Sequence, residues 1–242
     1  MTRVLVVQNS STSGAGRLDG WLADAGLSPD LVPGEHLPAD LAGYAGLVLL
    51  GGGFMPDDDA RHPWLARERT LTSQALADGV PVLGLCLGGQ LLAHVAGGVV
   101  TARSGETERG MCALRLLPAA DDDPVFSAVR DAVGDGPLWM IQNHEDSVTG
   151  LPPGAELLVS SDVCAVQAFR VGDAAWGLQF HPEAHPERVA RWDEAALSAE
   201  GVDRAALAAA AMERVDENAA QASALVTAWA EVVRSSRQDS PR

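Results

Sequence analysis

The segment Val80-Pro-Val-Leu-Gly-Leu-Cys-Leu-Gly-Gly-Gln90 constrains the fold more tightly than any other stretch of the chain. An apolar run with the character of a buried strand ends in Gly84-Leu-Cys-Leu-Gly88. The residues that follow, Gly89-Gln-Leu-Leu-Ala-His-Val-Ala96, are spaced as in a helix. Strand, one sharp turn and helix form a nucleophile elbow. Glycines on both sides of Cys86 let two elements approach closely around a strained residue. The thiol then stands at the positive end of a helix, where the thiolate is favoured.

The rest of the first two-thirds supplies a setting for such an elbow. Strand-like and helix-like segments alternate, the signature of an α/β domain. Arg3–Gln8 reads as a strand, Gly16–Ala25 as an amphipathic helix stopped by Gly26, and Gly46–Leu50 as a buried strand running into Gly51-Gly52-Gly53. Pro63–Asp78 reads as a helix with proline at its start and Gly79 past its end. After Thr101 short strands dominate: Cys112–Leu117, Leu138–Ile141, Glu156–Ser160, and a hairpin of Ala165–Arg170 with Ala175–Phe180. From His185 the chain is rich in alanine, with helices expected over Pro186–Leu197, Asp203–Val215 (Asp203 as N-cap) and Glu217–Arg234.

Composition removes several classes of function. The net charge of −16 disfavours nucleic acid and anionic membranes, both of which require a basic patch. All 17 basic residues are arginine. The absence of lysine excludes a Gly-x-x-x-x-Gly-Lys phosphate loop, a pyridoxal phosphate Schiff base and a lysine nucleophile. Any ATP-dependent step linked to this chain is therefore expected on another chain. Cys86, Cys112 and Cys164 are too widely spaced for a zinc ribbon, and their number does not suggest a disulfide framework. The N-terminus enters a strand directly, without a leader pattern, so a cytoplasmic location is expected.

A cysteine nucleophile needs a base and an orienting group behind that base. His181 ends the apolar segment Trp176-Gly-Leu-Gln-Phe180 and precedes Pro182-Glu183. Extended geometry before proline places residues two apart on one side, so His181 and Glu183 project together. Cys86 and His181 both lie at carboxyl ends of strands, where active groups gather in α/β sheets. Leu87, next after the nucleophile, offers one backbone N–H to an oxyanion, and the glycine loop Gly51–Gly53 offers another. His181 and His185 are four apart, but Pro182 and Pro186 break the helix that metal ligation would need, so no metal is expected.

Together, Gly84-Leu-Cys-Leu-Gly-Gly-Gln90 and Gly177-Leu-Gln-Phe-His-Pro-Glu183 resemble the motifs of the class I glutamine amidotransferase family, the Cys-His-Glu triad type. The resemblance implies a three-layer α/β/α fold with a central, mostly parallel, flavodoxin-like sheet and no cofactor. It implies that Cys86 attacks the glutamine side-chain amide, with His181 as base and then acid and Glu183 as its orienter. Gly52 and Leu87 would form the oxyanion hole, and Gly53, Gln90 and His144 would contact substrate. Asn143-His-Glu-Asp146 resembles a His-Gly-Asp segment in relatives of the GMP synthetase amidotransferase domain, with Glu145 where those have glycine. Glu108-Arg-Gly110 fits a family Glu-x-Gly position.

These observations give an amidotransferase-like domain over 1–191, a helical extension over 192–234 packed on the same domain, and a flexible tail over 235–242. A packing cap is the expected role of the extension, with a homodimer interface as the alternative. The function expected is a free-standing glutaminase-type amidotransferase that supplies ammonia to a separate acceptor subunit. The alternatives are a γ-glutamyl hydrolase or peptidase and, after it, a non-catalytic subunit of the same fold.

Overall fold

The alternating apolar segments of the N-terminal half become the centre of one large sheet. The structure is a computed structural model and describes residues 2–236. Its elements in chain order are β1 (Thr2–Gln8), α1 (Leu18–Asp24), β2 (Leu27–Pro33), β3 (Gly46–Leu49), α2 (Leu65–Asp78), β4 (Val82–Leu85) and α3 (Leu87–Val95). Next come β5 (Val99–Thr101), β6 (Glu108–Leu116), α4 (Phe126–Val133), β7 (Leu138–His144), β8 (Ser147–Gly150), β9 (Glu156–Ser160), β10 (Ala168–Val171) and β11 (Ala175–Leu178). The chain closes with α5 (Glu194–Ala199), α6 (Arg204–Glu213) and α7 (Val215–Ser236).

The main sheet has the order β2-β1-β3-β4-β11-β10-β9-β6-β7. From β2 to β11 every neighbouring pair is parallel, and from β11 to β7 every pair is antiparallel. Only β10 and β6 therefore run against the common direction, so the sheet is mostly parallel. Both faces are covered, and the two-residue period of a strand divides β1 between them. Val4 and Val6 pack in a cluster with Leu18, Leu22, Phe126, Val129, Leu225 and Trp229 of α1, α4 and α7. Leu5 and Val7 pack on the other face with Leu65, Leu71, Leu91 and Leu92 of α2 and α3. This is the three-layer arrangement expected from the sequence. Among the described residues no helix is long and apolar enough to cross a membrane.

The topology determines where chemistry can occur. The carboxyl ends of β1, β3, β4, β11 and β7 lie at one edge of the sheet, because these strands share a direction. The segment after β11 also meets β7 directly, through a 2.9 Å bond from His181 N–H to Ile141 O. The antiparallel half thus curls back towards the parallel half at this edge.

The structure corrects several element boundaries. β2, β5 and β8 had no counterpart among the expected strands, and β6 begins at Glu108, ahead of Cys112. The helix expected over Pro186–Leu197 is interrupted. Pro186–Arg191 forms a 3₁₀ segment, and Asp193 is extended (φ −64°, ψ 109°). Its carboxylate accepts from the N–H groups of Ala195 and Ala196, which starts α5 anew. Asp203 caps α6 in the same way, as expected. Ser235 and Ser236 continue α7, and the remainder of the expected tail, 237–242, lies outside the described residues.

A buried carboxyl braces the glycine loop after β3. Asn9, at the end of β1, donates to Leu50 O (3.2 Å) and to Glu68 Oε1 (2.9 Å), and it accepts from Trp64 Nε1 (3.0 Å). Glu68 is fully buried, and desolvation outweighs the Asn9 bond, raising its pKa to about 8. Folded protein therefore binds a proton that unfolded protein releases once the pH passes an ordinary carboxyl pKa. This contribution is complete at acid pH and is lost as the pH rises through the folded value of about 8. Each pH unit inside the window removes up to about 1.4 kcal/mol. Urea unfolding of the wild type and Glu68→Gln from about pH 5 to about pH 8 checks this sign. The wild type is expected to lose stability relative to the variant as the pH rises. A constant difference between them would contradict the buried, protonated Glu68.

Candidate active site

Cys86 lies between β4 and α3 with φ 52° and ψ −109°, a conformation rarely adopted by a residue with a side chain. Close approaches on either side hold it there. A Cβ on Gly84 would lie 2.4 Å from Gly88 O, and one on Gly88 would lie 2.1 Å from Leu49 O. The elbow glycines thus serve contact between backbones, β4 against α3 and α3 against β3. Cys86 N–H is anchored on Leu178 O at 2.8 Å. Its side chain is nearly buried, and Gln179 Nε2 donates to its Sγ at 3.7 Å.

His181 and Glu183 project together, as their spacing predicts: Nδ1 lies 2.8 Å from Glu183 Oε1. Gly51 lies between His181 and Cys86, since a Cβ placed on it would be 3.1 Å from His181 Cε1 and 3.7 Å from Cys86 Cβ. Burial opposes the imidazolium, but the Glu183 carboxylate and the Cys86 sulfur outweigh it, and the His181 pKa rises well above the ordinary histidine value. The site thus favours the protonated imidazole.

The other candidates converge on a neighbouring cavity of about 340 Å³ lined by Gly52, Gly53, Cys86, Gln90, Asn143 and His144, with Arg103, Arg109, Glu145 and Asp146 at its wall. Gly52 packs against Leu87, whose Cδ2 would be 2.7 Å from a Cβ placed there. Leu87 is the first residue of α3, so the helix itself offers its N–H no acceptor. Gln90 donates to Asp146 O (2.9 Å) and to Gln179 Oε1 (3.2 Å), tying α3 to the loop after β7. His144 is positioned differently from a free substrate contact. Its ring is 1% exposed, and Nε2 lies 3.3 Å from Glu108 Oε2, an atom that also accepts from Gln167.

Glu108, His144 and Cys164 bring donor atoms within 4.8 Å of one another, the spacing of a metal site. Cys164, however, is a poor thiolate donor: burial first, and then Glu106 and Glu108, push its thiol pKa far up, and Sγ donates to Val166 O.

Four contributors were not singled out from the sequence. Gln179 stands two residues before His181, so the spacing that pairs His181 with Glu183 also identifies it. Arg17 has no local signal. Its guanidinium is buried and donates to Pro182 O (2.9 Å) and Asn218 Oδ1 (2.8 Å), and the Arg17 backbone N–H donates to Glu183 O (3.0 Å). Desolvation lowers the Arg17 pKa to about 10 against the opposing pull of Glu183. Asn218 in turn donates to Trp139 O (2.9 Å), so α7 supports the segment that carries His181. Arg109 fastens the far wall of the cavity, donating to His144 O (2.6 Å) and pairing with Glu145 and with Glu200 beyond α5.

Comparison with known proteins gives a consistent picture. Residues 21–191 match the family model described as glutamine amidotransferase class-I. One of the subunits of the glutamine-hydrolysing GMP synthase of Haloarcula marismortui is 36% identical over 166 residues, covering 68% of this chain and 75% of that one. The glutamine-hydrolysing GMP synthase of Porphyromonas gingivalis is 32% identical over 157 residues, covering 64% of this chain, but the match spans only 28% of that longer protein. Among solved structures, a glutamine amidotransferase from Thermotoga maritima superposes with a TM-score of 0.81 at 27% identity, covering 95% of this chain and 98% of that one. A glutamine amidotransferase from Methylobacillus flagellatus gives 0.78 at 26% identity, with 96% and 95% covered.

Proposed function

The chain belongs to the class I glutamine amidotransferase family, a family of cysteine-dependent amide hydrolases, and on that premise we propose that it hydrolyses the side-chain amide of glutamine through a thioester on Cys86. The observation that carries this reading is the placement of the strained Cys86 elbow beside the His181–Glu183 pair. Cys86 Sγ, its proton passed to His181, attacks the amide carbon, and the carbonyl oxygen becomes an oxyanion received by the N–H groups of Leu87 and Gly52. His181, held by Glu183, gives its proton to the leaving nitrogen as the C–N bond breaks. Water then adds to the thioester, with His181 now the base, and glutamate leaves.

The γ-glutamyl group occupies the 340 Å³ cavity beside Cys86, against Gly53 and Gln90. His144 contributes through the wall it builds with Glu108. The segment 192–234 acts as a cap of the same domain, because Glu200 holds Arg109 and Asn218 holds Arg17. By analogy with the archaeal relative, which is itself one part of a synthase with more than one chain, the ammonia passes to an acceptor on a separate polypeptide. The second reading, hydrolysis of γ-glutamyl amides larger than glutamine, is favoured by a further cavity on the His181 side of the site.

Incubation with glutamine and with a diazo-ketone glutamine analogue tests the first step. Glutamate release and labelling of Cys86 are expected. A folded protein that neither releases glutamate nor takes the label would return the non-catalytic reading.

A further inference from the structure

A second cavity, of about 520 Å³, is lined by His181 and Glu183. The two cavities share Asn143 as a common wall; Cys86 lines one, and His181 and Glu183 line the other. We propose that this second cavity is the amine-side subsite of the enzyme and that it takes the amino-acid half of a γ-glutamyl-α-amino acid with an apolar side chain. This rests on the reading that Cys86 carries the γ-glutamyl group.

Three observations support it. The first is position. The nitrogen expelled from Cys86 must receive its proton from His181, so whatever is bonded to that nitrogen lies on the His181 side. The second is size. Ammonia needs about the space of one water, roughly 30 Å³, whereas the cavity falls in the range of sites built for small organic ligands. The third is charge. Ten arginines of this acidic chain are paired with carboxylates. Arg188 and Arg191, which both line this cavity, have no carboxylate partner among the described residues; Arg188 donates only to Thr12 O, at 2.7 Å. Two arginines without a carboxylate partner, in a cavity that His181 also lines, suit a carboxylate one carbon from the leaving nitrogen. Ile141, Val189 and the half-buried Trp192 supply an apolar wall for the side chain.

The reaction is balanced with water alone. The amide C–N bond breaks as the Cys86 thioester forms, the amino acid leaves with the His181 proton, and water hydrolyses the thioester to glutamate.

The test compares γ-glutamyl-leucine with its decarboxylated counterpart, γ-glutamyl-3-methylbutylamide, and with glutamine, as kcat/KM on the full chain. The leucine compound is expected to exceed the amide by about tenfold or more, as a charge-assisted contact requires. In the Arg188→Ala/Arg191→Ala double variant this ratio is expected to fall towards one. Because it is a ratio within one protein, partial loss of folded material cancels. Equal rates in the wild type, an unchanged ratio in the double variant, or turnover of glutamine alone would each overturn the subsite and leave the Cys86 chemistry standing. Failure to cleave any of the three, with Cys86 unlabelled by the diazo-ketone, would overturn the underlying reading instead.

Discussion

Replacing Cys86 by alanine is expected to reduce glutamate release by a factor on the order of 10⁴ or more, with the fold intact. The loss is large because Sγ is the atom that bonds to the acyl carbon, and nothing nearby replaces it. Gln179 Nε2 and the His181 ring both address Sγ, and Cys112 and Cys164 are held as thiols by burial, with the Cys112 pKa pushed up to about 12. Stability should change little, since one small side chain is removed and the backbone of the elbow is set by its glycine neighbours and by the Leu178 O contact. Steady-state kinetics beside urea unfolding check both halves. Retained activity in a folded Cys86→Ala protein would remove the thiol from the reaction.

Gly88→Ala should be nearly as damaging for a different reason. The new Cβ would stand 2.1 Å from Leu49 O and 2.6 Å from Leu49 Cβ, so backbone rather than a flexible side chain must yield. Moving α3 away from β3 weakens the core around Leu49 and Leu91 and withdraws the start of α3 from Cys86. A destabilisation of about 3 kcal/mol or more is expected, at the upper end for overpacked sites. Gly20→Ala is the internal control. Gly20 lies inside α1, and a Cβ placed on it would meet nothing within 4 Å, so alanine there should be neutral or stabilising by up to about 1 kcal/mol. Equal effects at the two positions would show that the elbow tolerates a Cβ and that its glycines serve another purpose.

The sequence was legible where structure is written locally. The elbow, the β10–β11 hairpin, the Asp203 cap and the His181–Glu183 pairing each depend on residues a few positions apart. Features that depend on distant partners were not. β2 contains Pro29 and Pro33, which argue against a strand by composition, yet it lies at the sheet edge, where a missing donor is tolerated. The helix expected from Pro186 gave way because Asp193 competes as a cap, a choice that alanine-rich flanks do not reveal. Arg17 meets Pro182 and Asn218 across most of the chain, and Arg109 meets Glu200 across the cavity wall; neither has a sequence pattern. His144 was expected at the substrate, and only its packing against Glu108 shows how it is engaged.

Covalent catalysis at Cys86 is tested most directly by rapid mixing with glutamine, quenching in acid and mass analysis of the intact chain and its peptides. The expected result is one γ-glutamyl group on the peptide containing Cys86, lost on treatment with hydroxylamine and missing from Cys86→Ala. Sustained glutamate release with no such adduct, or with the adduct on Cys112 or Cys164, would contradict it.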